Sequence, residues 1–69
     1  MKYSVIGKMR LNSDTIVTIS GRGDDLHNGK VINGGKYTIQ SVGIQNTPSY
    51  GKTTVMLVNG NFEDDEILT

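Results

Sequence analysis

Each apolar run in this 69-residue chain is cut short by a turn of glycine, asparagine or aspartate, and no run repeats with a helical period. A chain patterned this way buries its apolar side chains by laying short strands side by side. Its length fits one domain, residues 1–69, because so short a chain buries only about 60% of its unfolded surface. With no cysteine and a single histidine, a disulfide framework and the usual zinc ligand sets are excluded, so no metal or cofactor is assigned. Core packing or self-association has to supply the stability.

The first segment alternates, with Tyr3, Val5, Met9 and Leu11 on one face and Lys2, Ser4, Lys8 and Arg10 on the other. Ile6 breaks the pattern and is expected to be exposed, where it would suit an interface. Asn12-Ser13-Asp14 has turn chemistry and leads into the β-branched run Thr15 to Ser20, so the pair reads as a hairpin. Gly21 to Gly29 is too polar and too rich in glycine to continue a strand, and reads as the longest exposed loop.

Lys30-Val31-Ile32 reads as a short strand, Asn33-Gly34-Gly35 as a tight turn with positive φ, and Lys36 to Ile44 as a long strand. Tyr37 and Ile39 share one phase and Val42 and Ile44 the other, which predicts a bulge near Ser41 or Gly43. After the loop containing Pro48, Thr53 to Val58 is continuous enough to be buried on both sides. The acidic C-terminal segment, residues 62–69, reads as a loose final strand, the alternative being a single helical turn that carries Phe62, Ile67 and Leu68 inward.

The fold class is therefore all-β: a small closed or partly open barrel of five to six short antiparallel strands, of the SH3, OB or elongation-factor domain 2 kind. The pieces Thr18-Ile19-Ser20-Gly21-Arg22-Gly23, Gly29-Lys30-Val31, Gly34-Gly35-Lys36-Tyr37-Thr38-Ile39 and Val42-Gly43-Ile44 carry a partial resemblance. In order and spacing this resembles the second, β-barrel domain of translational GTPases of the elongation factor Tu type. The resemblance implies a closed barrel and, in full-length factors, a surface that contacts the aminoacyl end of transfer RNA. The chain departs from that family where Asp24-Asp25-Leu26-His27-Asn28 interrupts the strand after Gly23.

Formal charge is zero overall but uneven, about +4 through Asn61 and −4 over Glu63, Asp64, Asp65 and Glu66. The first residues lack the apolar stretch of a signal peptide, and no run is long enough to span a bilayer, so a cytoplasmic location is expected.

Two groups of residues are candidate sites. The first is an interaction loop of Arg22, Asp24, Asp25 and His27, where two carboxylates and an imidazole lie close in sequence; a polar turn explains the same residues. The second is a basic nucleic-acid face of Lys2, Lys8, Arg10 and Arg22 with Tyr50 for stacking, set against the neutral total charge. Gly51-Lys52-Thr53 fails as a P-loop because Asn46 stands where a glycine is needed. No catalytic residues are assigned, since no nucleophile pairs with His27.

The expected function is that of a non-enzymatic binding module. It would meet a protein partner or its own copies through an exposed strand edge or the Gly21 to Gly29 loop, as a small accessory or inhibitory protein of viral or mobile-element origin. The alternatives are an RNA- or single-stranded DNA-binding barrel, and a sequestering protein that holds a small anionic ligand at a subunit interface.

Overall fold

The computed structural model describes residues 2–69, which form six strands and no α-helix. They are β1 (Lys2–Leu11), β2 (Asp14–Ser20), β3 (Val31–Ile32), β4 (Tyr37–Thr47), β5 (Gly51–Val58) and β6 (Glu66–Leu68). A 3-10 turn, Asn33–Gly35, links β3 to β4. All neighbours pair antiparallel in the order β3-β4-β5-β2-β1-β6, and the sheet curls into a nearly closed barrel. No helix among the described residues is long and apolar enough to cross a membrane.

β2 sits near the middle because its β-branched residues suit a pleated, buried surface. Thr15, Val17 and Ile19 face the interior while Ile16 and Thr18 are half-buried outside. Its hairpin with β1 closes at the Leu11–Asp14 pair, and Asn12 takes φ 57°, a conformation asparagine tolerates better than most residues.

β1 does not keep the phase that its alternation predicts. A bulge at Ile6, between the Val5–Ile19 and Gly7–Thr18 pairs, exchanges the two faces of the strand beyond it. Lys8 and Arg10 now lie opposite the buried Val17 and Thr15, while Met9 and Leu11 point outward, 62% and 48% exposed. Ile6 itself is half-buried rather than exposed. The bulge in β4 falls at Gln40, between Ile39 and Ser41, just before the expected position.

The core gathers Val17, Ile19, Ile32, Ile39, Met56, Val58 and Ile67 from the strands, with Leu26 and Phe62 from the connections. Tyr37 packs against Phe62 with ring centroids 4.6 Å apart. β5 is buried chiefly on its inner face, and Val55 and Leu57 on the outer face remain half-exposed. Among the described residues every buried hydroxyl is bonded. Thr15 Oγ1, for example, donates to the Gly60 carbonyl at 2.7 Å and accepts the Phe62 N–H at 3.0 Å.

The two ends of the sheet meet through one side chain. Buried Asn33, at φ 54°, donates from Nδ2 to the Glu66 carbonyl at 2.9 Å, and its Oδ1 accepts the Leu68 N–H at 2.7 Å. Its carboxamide thus pairs with β6 around Ile67 as a peptide group of a neighbouring strand would. The C-terminal segment is in this way a structural strand, with Phe62 and Ile67 buried.

Candidate interaction surface

The Gly21 to Gly29 segment is pinned rather than loose. The Gly23 N–H donates to Thr54 Oγ1 at 2.8 Å, Thr54 Oγ1 donates to the Gly21 carbonyl at 2.9 Å, and the Leu26 N–H closes a turn onto the Gly23 carbonyl at 3.0 Å. Leu26 plugs the core from this loop. A Cβ at Gly23 would lie 2.5 Å from Leu26 Cδ1, so any other residue there has to displace the Leu26 side chain.

Of the loop candidates, Arg22, Asp24 and His27 are exposed. Arg22 Nε pairs with Asp24 Oδ1 at 3.2 Å, and His27 Nδ1 lies 3.1 Å from the Asn28 carbonyl. Asp25 turns the other way, accepting the Tyr3 hydroxyl on Oδ1 and the Thr69 hydroxyl on Oδ2 at 3.0 Å. The Asp25 bond, aided by burial, pushes the Tyr3 phenol up to about 12. The same bond from Tyr3 holds the Asp25 carboxyl below the usual carboxylate range, against the opposing effect of burial. Asp25 is thereby a structural anchor between loop and β1, and the four candidates do not converge on one point. Among the described residues, no group of three or more His, Asp or Glu side chains is placed to hold a metal ion.

The basic candidates are divided in a similar way. Lys2 Nζ lies 3.4 Å from Glu66, Lys8 Nζ 3.6 Å from Asp65 and 3.1 Å from the Asp64 carbonyl, and Lys36 Nζ 3.0 Å from Asp64. The acidic segment therefore lies across Lys2, Lys8 and Lys36. Hydrogen bonds from Asn33 and then Lys36 lower the Asp64 carboxyl, and Asp64 in turn raises the Lys36 ammonium. Arg10 donates to the Asn12 carbonyl at 3.2 Å, beside the Asp14 end of the sheet. Tyr50, 58% exposed, sits in the β4–β5 turn at the opposite end, so the two do not share a surface.

One stretch of open backbone belongs to β4. Gly21 N–H bonds the Lys52 carbonyl on the β2 side, so the even-numbered residues of β5 address β2 and Thr53, Val55 and Leu57 address β4. Their partners in register are Gln45, Gly43 and Ser41, whose peptide groups point into the sheet. Val42 and Ile44 consequently turn theirs outward. β3 covers β4 only at Tyr37 and Thr38, with Ile39 bonded to Gly29 and Lys30, and no described strand pairs with the edge beyond.

This edge is unprotected by charge. No Lys, Arg, Asp or Glu occurs between Lys36 and Lys52. The other open edge, Gly7 to Leu11 of β1, carries Lys8 and Arg10, the residue type that discourages pairing. Beside β4, on the outer face, Leu11, Ile16, Ser41, Val55, Met56 and Leu57 line an open groove of about 260 Å³. Sequence reasoning named a strand edge without locating it; the uncharged stretch from Tyr37 to Gly51 was the available signal.

No family model, curated protein or solved structure matches this chain.

Proposed function

We propose that the protein is a non-enzymatic binding module that takes up an extended protein segment along the open edge of β4. The observation that carries this reading is the pair of outward-facing peptide groups at Val42 and Ile44 on an edge without charge. Main-chain bonds to such an edge supply affinity, and neighbouring hollows select side chains. The groove lined by Ile16, Val55 and Leu57 lies alongside.

A protein partner is placed ahead of nucleic acid because Lys2, Lys8 and Lys36 are already engaged by the acidic segment. Nucleic-acid binding draws on free positive charge and weakens steeply with salt. Light scattering at low and high salt, with and without a short mixed-sequence RNA, tests the choice. RNA is expected to add no mass at either salt; mass gained with RNA at low salt and lost at high salt would overturn the reading.

A further inference from the structure

We infer that the segment received by β4 is β4 of a second copy, joined antiparallel about a twofold axis at Gly43 so that one sheet continues into the other. This rests on the strand-edge reading above and names its partner.

Pairing about Gly43 sets Val42 of one copy opposite Ile44 of the other. These are the residues whose N–H and C=O groups face outward, so each pair exchanges both backbone bonds. Val42 and Ile44 lie on the core side of the sheet, in register with Met56 and Thr54. Ile44, 43% exposed in the single chain, thereby gains an apolar neighbour across the axis. On the outer face Ser41 meets Gln45, and Gly43 meets its own copy.

The absence of charge favours a second copy in particular. A twofold axis brings a strand against itself, so a lysine or an acid in it faces a like charge. β4, Tyr37–Thr47, holds none. The β1 edge fails the same test, since pairing about Met9 would set Lys8 against Arg10. A chain this small also gains burial by pairing.

The register is testable by a cysteine on the axis, because the chain has no cysteine of its own. A Cβ at Gly43 meets nothing within 4 Å, so Gly43→Cys leaves the fold undisturbed. In the dimer the two Gly43 form a non-hydrogen-bonded pair, with Cα atoms about 4.5 Å apart, within disulfide reach. Under mild oxidation Gly43→Cys is expected to form covalent dimer at least about tenfold faster than Asn28→Cys, a control in the exposed loop. Adding Ile44→Lys, at a position already open to solvent, is expected to remove that advantage without changing the circular dichroism spectrum.

Equal cross-linking rates for Gly43→Cys and Asn28→Cys would overturn self-pairing. If the Val42 and Ile44 amides of dilute protein still exchange freely, the strand-edge reading stands with a different partner. If the cross-linking rates are equal and those amides are nevertheless protected at every dilution, the edge is closed within the single chain and both readings fall.

Discussion

The side-chain carboxamide of Asn33 accepts the Leu68 N–H at 2.7 Å and so holds the last strand of the sheet against the turn that follows the first. The same carboxamide donates to the Glu66 carbonyl and, at 2.7 Å, to Asp64 Oδ2. One residue at positive φ thus stands in for the missing ladder between β3 and β6.

Replacing it separates backbone from side chain. Asn33→Gly keeps the φ of 54° accessible and loses only the side-chain bonds, and should destabilise the fold by about 2 kcal/mol. Asn33→Ala adds the strain of a left-handed alanine, roughly 1 kcal/mol more. Urea denaturation of the two variants checks both the size and the order of the losses.

Tyr3 and Asp25 give the fold a dependence on pH at both extremes. The folded Tyr3 pKa is raised above its ordinary value, so its contribution is complete below pH about 10 and fades as pH rises through about 12. The folded Asp25 pKa is lowered, so its contribution is present above the ordinary carboxylate range and fades as pH falls through the depressed value. Phenolate absorbance should show one of the three tyrosines titrating near 12. In Asp25→Asn that late titration should move earlier.

Gly23 and Leu26 should behave as a coupled pair. Gly23→Ala forces its methyl against Leu26 Cδ1 and should cost about 1 to 3 kcal/mol of stability. Leu26→Ala opens space in the core at about 2 to 4 kcal/mol. In a double-mutant cycle the Gly23→Ala cost should fall once Leu26 is alanine; strict additivity would mean that Gly23 serves something other than this close approach.

The acidic segment should govern how the body meets polyanions. Changing Asp64→Asn, Asp65→Asn and Glu66→Gln together moves the formal charge from zero to +3 and releases Lys2, Lys8 and Lys36. This variant is expected to gain weak RNA binding that disappears with added salt, where the parent shows none. Fluorescence anisotropy with a labelled oligonucleotide reads the difference.

The strands were legible because their cause is local: β-branched runs such as Thr15 to Ser20, bounded by turn residues, have few other places to go. The outward turn of Met9 and Leu11 was not, because one extra residue at Ile6 inverts a strand and leaves no mark in composition. Lys36 and Asp64 meet across 28 residues, and Tyr3 and Asp25 across 22, distances at which charge counts say nothing about pairing. Asn33 read as a turn residue, which it is, but its grip on β6 depends on where the chain returns 35 residues later. The loop candidates were located, while the inward turn of Asp25 needed the position of Tyr3.

The most direct measurement is backbone amide hydrogen exchange along β4 in dilute protein. Ser41, Gly43 and Gln45 point their amides into β5 and should be protected, while Val42 and Ile44 between them should exchange quickly. That alternation would establish an open edge ready to receive a strand. Uniform protection from Ser41 to Gln45 in protein that light scattering shows to be monomeric would contradict it and remove the surface on which the proposed function rests.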